Sequence, residues 1–296
     1  MKHTFAKALL GCAIALTAFG CSENGDDVNN VAASTSFPNV RIYATAGDRL
    51  VTFDSGNPGV LTGNTTIAGL AGGETIVGMD FRPATNTLVA VGSTSRIYTI
   101  DKVSGFATLV NATAFSPALS GTAFGVDFNP TVDRIRIVSE TGQNLRVNPI
   151  TGATAANDTA LAYAAGDSGA GVAPRVVAAG YINNFPGATN TVLFGVDSGR
   201  DAFVLQNPPN NGTLTTIGGL NFDTDDRVGF DFGDGDAGFV SLTANLPGTT
   251  NSELFYVKPG TREFSRVGTI GGTVITSLTI DRGTAQPIVV ITKSEN

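Results

Sequence analysis

Histidine is almost missing from this chain: of 296 residues only His3 carries an imidazole. It lies in a leader segment, so the folded part is read as having none. That excludes Ser-His-Asp triads, histidine zinc centres and a histidine general base. Cysteine is nearly as scarce, with only Cys12 and Cys21. Both precede the expected fold, which therefore has no disulfide, thiolate metal site or cysteine nucleophile. Tryptophan is absent and only five tyrosines are present, which weakens any reading as a sugar-stacking lectin or glycosidase. No Gly-rich loop followed by Lys and Ser/Thr is found, so nucleotide binding is unsupported. Any catalysis would have to rest on carboxylates, Arg, Lys, Tyr or a bound metal.

What is present begins with an export signal. Lys2 and Lys7 give a positive start, and residues 8–19 form an apolar run of h-region length. The run is too short to span a bilayer, which takes about 20 apolar residues. It ends in Thr17-Ala18-Phe19-Gly20-Cys21, small residues before a cysteine. This resembles a bacterial lipobox, which implies cleavage after residue 20 and lipid on Cys21. An ordinary secretory signal with an incidental cysteine is the alternative. Several acyl chains would hold the protein firmly, where a single chain binds marginally. Ser22 at the next position suggests, by resemblance to lipoprotein sorting, the outer membrane. Residues 1–20 are thus expected to be the signal, 21–38 a lipidated cysteine and polar tether, and 39–296 one domain.

Charge narrows the partners. Without Lys2 and Lys7, 16 of the 18 basic residues remain against 25 acidic ones, a net charge near −9. Nucleic acid, which demands a basic surface, is disfavoured. Thirty-seven glycines and thirteen prolines, with many Thr and Val, predict short strands joined by tight turns. No long 3.6-residue period is visible, and residues 157–171 are the one stretch suited to a short helix or a mobile loop.

A motif recurs about every fifty residues. Gly78-Met-Asp-Phe81, Gly125-Val-Asp-Phe128 and Gly229-Phe-Asp-Phe232 are near copies, with degenerate copies at Gly180-Tyr181 and Leu278-Thr-Ile280. The aromatic or aliphatic ends, Phe81, Phe128, Tyr181, Phe232 and Ile280, are spaced by 47, 53, 51 and 48 residues. Repetition at this period marks a solenoid or propeller, and four strand-like pieces fall in each period, the content of a propeller blade. Residues 41–45, 50–53 and 61–67 read as the last three strands of a blade that lacks its first; residues 274–280 read as a first strand without its blade. The fold class predicted is therefore all-β: a β-propeller of five four-stranded blades closed by a C-terminal strand. Six blades and a β-sandwich are the alternatives. Residues 287–293 suit an extra edge strand.

The segments Gly125-Val-Asp-Phe-Asn-Pro-Thr-Val-Asp-Arg-Ile-Arg-Ile-Val-Ser139, Gly142-Gln-Asn-Leu-Arg-Val-Asn-Pro149 and Ala178-Ala-Gly-Tyr-Ile-Asn-Asn184, with the leading Arg41-Ile-Tyr-Ala-Thr45, resemble the family called domain of unknown function 4394, found in exported bacterial proteins. The resemblance covers nearly everything after the tether. It implies no activity and no catalytic residues.

Candidate site residues follow from chemistry. Asp80, Asp127 and Asp231 hold one position in three repeats, on the strand face opposite their aromatic neighbour. If those strands line an axis, the carboxylates crowd together and attract a hard cation such as calcium. The blander reading makes each a turn cap or a partner of an arginine within its own blade. Arg134 and Arg136 share a strand face and Arg146 follows on the next strand. They suit an anionic ligand, or else satisfy buried carboxylates such as Asp127 or Asp133. Asp234-Gly-Asp236 resembles part of a calcium loop without its full spacing or closing Glu, and reads otherwise as a solvated turn. No carboxylate pair is placed well enough to argue for glycoside hydrolysis. The leading expectation is a lipid-anchored, non-enzymatic envelope propeller that binds a protein or a small ligand. A calcium-assisted hydrolase or lyase and a structural surface component are the alternatives.

Overall fold

The computed structural model describes residues 37–260 and 263–283. The leader, the expected tether up to residue 36 and the edge strand expected at 287–293 lie outside the described residues. The last two residues of that tether belong with the domain: the Phe37 ring lies 5.3 Å from the Tyr256 ring, and the Pro38 carbonyl accepts the Ser55 hydroxyl at 2.8 Å.

Five sheets account for the domain, each with four antiparallel strands. The first joins β1 (Arg41–Ala46), β2 (Arg49–Asp54) and β3 (Leu61–Thr66) to the last strand, β21 (Ser277–Ile280). The second is β4 (Ile76–Arg82), β5 (Thr87–Gly92), β6 (Arg96–Ile100) and β7 (Ala107–Leu109); the third is β8 (Phe124–Asn129), β9 (Arg134–Ser139), β10 (Asn144–Val147) and β11 (Thr154–Asn157). The fourth runs β13 (Val176–Tyr181), β14 (Leu193–Asp197), β15 (Ala202–Gln206) and β16 (Thr213–Gly219), and the fifth β17 (Gly229–Phe232), β18 (Gly238–Thr243), β19 (Ser252–Lys258) and β20 (Glu263–Thr269). The strands β21, β4, β8, β13 and β17 contact one another in that cyclic order. They are the innermost strands of a five-bladed propeller.

The C-terminal strand closes the ring as expected. Ile42, Tyr43, Ala44 and Thr45 pair with Ile280, Thr279, Leu278 and Ser277. A single blade is thus built from both ends of the domain, which couples the termini and leaves β1 without an open edge.

The stretch 157–171 differs from expectation. It holds no helix; instead β12 (Ala162–Tyr163) adds to the fourth blade as a fifth strand, parallel to β16. Its backbone is held there because Tyr163 buries its ring and donates its hydroxyl to Asp197 Oδ2 at 2.6 Å. Among the described residues, helical turns are limited to two three-residue 3-10 pieces, Pro209–Asn211 and Asp234–Asp236.

The core is five apolar layers, one between each pair of neighbouring blades. Tyr43 and Leu50 of the first blade meet Met79, Phe81 and Leu88 of the second. Val89 and Ile97 of the second meet Phe124 and Phe128 of the third. Val138 meets Ala179 and Tyr181, Phe194 and Phe203 meet Phe230 and Phe232, and Phe239 meets Ile42 and Phe53. Each motif aromatic fills the layer toward the preceding blade, where burying a side chain of that size contributes about 1.5–3 kcal/mol.

The motif glycine has a separate task. A Cβ on Gly78 would stand 2.3 Å from Val126 Cγ2, one on Gly125 2.6 Å from the Ala178 carbonyl carbon, and one on Gly229 2.6 Å from the Leu278 nitrogen. In all three the obstacle is the inner strand of the next blade. Gly-x-Asp-aromatic is therefore a ring-building motif: the glycine admits the next strand, and the aromatic packs backward.

Candidate functional site

The aspartate of the motif completes the link. Asp80 Oδ2 accepts the Phe128 N–H at 2.8 Å, Asp127 Oδ1 the Tyr181 N–H at 3.2 Å, and Asp231 Oδ2 the Ile280 N–H at 2.8 Å. Each bond runs from one inner strand to the next around the ring. In the closing blade Thr279 stands at the aspartate position, and its Oγ1 accepts the Phe81 N–H at 3.2 Å. Inner strands have one edge facing the axis with no sheet partner, and these side chains supply the missing acceptors. The aspartates are therefore neither turn caps nor partners of an arginine in their own blade. In the fourth blade Gly180 takes the position, its Cα facing the Phe230 and Phe232 rings, which a Cβ would meet at 3.0–3.1 Å.

The same geometry brings the three acids together. Asp80, Asp127 and Asp231 are at most 1% exposed, and one oxygen from each lies within 4.8 Å of the others. Thr279 Oγ1 sits between two of them, 2.8 Å from Asp80 Oδ1 and 3.0 Å from Asp231 Oδ2. A hydroxyl has one proton, so it serves one of these carboxylates at a time. Asp127 Oδ2 is buried and has no hydrogen-bond partner. Burial first, then the charge of Asp231, pushes the Asp80 carboxyl up to about 8. Burial and the charges of Asp80 and Asp231 raise Asp127 well above its usual range, and burial raises Asp231. Opposing this is the Arg282 guanidinium, whose positive charge lowers all three.

The arginines singled out from the sequence lie elsewhere. Arg136 is fully buried. It donates to Asp158 Oδ2 at 2.6 Å, to Asn144 Oδ1 and Asn210 Oδ1 at 2.7 Å, and to the Tyr181 hydroxyl at 3.2 Å. Arg146 grips both oxygens of Asp158 at 2.8 Å. Despite its burial, Asp158 is held below the usual carboxylate range by its bonds to Arg146 and Arg136. The carboxylate that satisfies these two cations is thus Asp158, not Asp127 or Asp133; Asp133 pairs with Arg82. Arg134 donates to the carbonyls of Val132 and Asp133 and does not join Arg136. Asp236 Oδ1 accepts the Asn183 N–H at 2.9 Å, and Asp234 lies in the same tight turn. Among the described residues the one set of three or more acids close enough to share an ion is Asp80, Asp127 and Asp231.

Cavities formed by described residues include the following. One of about 420 Å3 is lined by Thr75, Ile76 and Val77 at the start of β4, Thr122 to Phe124 at the start of β8, Asp226 and Arg227 leading into β17, Thr276 before β21, and Gly47. Four of the five inner strands begin there, so it lies at one end of the propeller axis and is called the axial mouth. Arg227 at its wall is fixed by Asp225, with Nε donating at 2.7 Å. Asp226 accepts from Ser198 and Arg175. A cavity of about 270 Å3 lies along residues 67–76, and one of about 500 Å3 between Glu140–Gly142 and residues 160–174. The three axial aspartates line none of these cavities.

The sequence model of the family described as domain of unknown function (DUF4394) matches residues 49–279. The chain belongs to the DUF4394 family. The DUF4394 match runs from β2 into β21 and includes the three full Gly-x-Asp-aromatic copies, as the sequence resemblance implied. No curated protein matches the chain. Among solved structures the chain is similar to a protein of unknown function from Bacteroides thetaiotaomicron, at 14% identity and a TM-score of 0.50, over 87% of this chain and 68% of that one. It also matches a chain of a nidogen/laminin complex (10% identity, TM-score 0.45, 82% and 98% covered) and the Dos1 propeller (12%, 0.41, 78% and 62%). At 14% identity the first of these likenesses speaks to fold alone.

Proposed function

We propose that this DUF4394 chain is a lipid-anchored β-propeller of the cell envelope that acts by binding, with the axial mouth as its ligand site. The observation that carries the reading is the cavity of about 420 Å3 bordered by chain from four blades and a fixed guanidinium. Its size falls in the range of small-molecule sites. Its floor is apolar (Ile76, Phe124) and its rim carries the hydroxyls of Thr75, Thr122 and Thr276. A ligand with an apolar body and a few hydrogen-bonding groups suits such a surface. The acids that would serve a hydrolase or lyase are buried and line none of these cavities, which favours binding over catalysis. Anchoring rests on Thr17–Cys21 and on Ser22, which together support lipid at Cys21 and an outer-membrane address.

Thr122 is exposed at the rim, so Thr122→Trp fills the mouth without touching the core. Native mass spectrometry of protein purified from envelope extracts, followed by thermal shift with the compounds found, tests the reading. A compound that stabilises the wild type and not Thr122→Trp supports it. Stabilisation retained in full by the variant, or wild type purified without any adduct and unmoved by the extract, counts against it. For the anchor, Cys21→Ala is expected to move the protein from membrane to soluble fraction, and unchanged retention would refute lipidation.

A further inference from the structure

Three acids buried within a few ångströms cannot all remain ionised without a neutralising charge. The nearby fixed cation is Arg282, whose three guanidinium nitrogens are buried and make no hydrogen bond. It forms no ion pair within 4.0 Å with the acids, yet its charge acts on all of them. Three carboxylates and one guanidinium leave a net charge of −2 on the axis.

Two buried oxygens, one in the cluster and one on a residue that touches it, lack partners. One is Asp127 Oδ2, on a residue with no exposed surface. The other belongs to a residue outside the acidic set: Asn184, 2% exposed, has no partner for its Oδ1. Its Nδ2 makes only long contacts of 3.4 Å to Asp231 Oδ1 and the Phe232 carbonyl. Rotating that amide by half a turn would exchange the two atoms and bring the oxygen to Asp231. Asn184 thus reaches the axis from the fourth blade, the one whose motif position is Gly180. Buried polar atoms left without partners are costly.

We infer that the axis holds one divalent cation of the calcium class, ligated by carboxylate oxygens of Asp80, Asp127 and Asp231 and by the amide oxygen of Asn184. Oxygens of one set within 4.8 Å of one another suit a cation with ligands at about 2.3–2.6 Å. The ion gives Asp127 Oδ2 and Asn184 Oδ1 their missing partner and balances the charge of −2. It also lies at the point where β4, β8, β17 and the end of β13 meet, so it ties four blades together. Arg282 marks one side of the site and opposes the ion by repulsion.

The test uses the full chain, stripped with EDTA and titrated calorimetrically with calcium, magnesium and manganese in turn, with variants Asp127→Asn and Arg282→Gln. Asp127→Asn keeps an acceptor for the Tyr181 N–H and loses one charge. The wild type is expected to bind one ion per chain. Asp127→Asn should weaken binding by about a hundredfold, as loss of a charged ligand does. Arg282→Gln should tighten it by about tenfold or more, since it removes a nearby positive charge from a poorly screened interior. The second variant reads in the opposite direction and leaves the ligands in place, so it decides the matter even if Asp127→Asn fails to fold. No binding of any of the three ions up to millimolar concentration would overturn the inference and leave protons as the neutralising charge. Binding with unchanged affinity in both variants would place the ion on surface acids and overturn it equally.

Discussion

Replacing Gly125 by alanine tests the reason for the repeated glycine. The new Cβ would lie 2.6 Å from the Ala178 carbonyl carbon, 2.7 Å from the Ala179 nitrogen and 2.9 Å from the Ala178 Cα. Ordinary contact begins near 3.4 Å, so the strands must separate by the better part of an ångström. The obstacle is backbone of β13, which is bonded along its length to β14, so no side-chain rotation relieves it. Overpacking of this kind costs about 1–3 kcal/mol where side chains can give, and about 3 kcal/mol or more is expected here. For a domain of this size that lowers Tm by roughly 6–12 °C. Gly218→Ala is the control, because nothing lies within 4 Å of its added Cβ, and a change within about 0.5 kcal/mol is expected. Circular dichroism melts of the two variants beside the wild type measure the difference. Equal melting temperatures for Gly125→Ala and Gly218→Ala would refute the close-approach reasoning.

Other expectations follow from the buried charges. Arg136→Ala should destabilise by about 3–5 kcal/mol, because it empties a buried four-partner site, leaves Asn210 Oδ1 without this donor and leaves Asn144 Oδ1 with only the 3.3 Å bond from Gln206; Arg146→Ala, more exposed and with Asp158 still bound to Arg136, should cost about 0–1 kcal/mol. Similar losses in urea denaturation for the two variants would contradict the assignment of Asp158 to Arg136. In EDTA, stability should fall as pH rises from about 5 to 9. Asp80, Asp127 and Asp231 are raised in the folded state, so the fold holds protons that the unfolded chain has already released. Their contribution is complete below about pH 4; that of Asp80 is lost as pH climbs through about 8, and those of Asp127 and Asp231 as pH climbs through their raised values. Asp158 and Asp281 are lowered and act in the opposite sense, losing their contribution as pH falls below 4, so the maximum should sit near pH 5. A melting temperature that rises between pH 5 and 9 would contradict this.

The blade architecture was legible because its causes are local and repeated. The spacing of Phe81, Phe128, Tyr181, Phe232 and Ile280 located the innermost strands, and the orphan strand at the C-terminus located the closure. The site was legible only in part. Asp80, Asp127 and Asp231 stood out by their common position, but whether they meet depends on the ring bringing distant strands to one axis, which alternation along a single strand does not encode. Thr279 was findable, since it occupies the aspartate position of the closing blade. Asn184 and Arg282 were not, because each reaches the axis by a turn after its inner strand and neither repeats. Arg136 was seen, but its partner Asp158 sits in the irregular stretch before β12, where no pattern fixes the backbone. The cavity at the mouth combines residues from four blades and has no signature in any one of them.

The most direct test of the account is amide hydrogen exchange at Phe128, Tyr181 and Ile280, whose N–H groups face the axis and are held by Asp80, Asp127 and Asp231. If the aspartates join blade to blade around a closed ring, these amides exchange only through global unfolding, as slowly as any in the domain. If they exchange as fast as the amide of the exposed loop residue Val132, the three aspartates do not meet on the axis and the account fails.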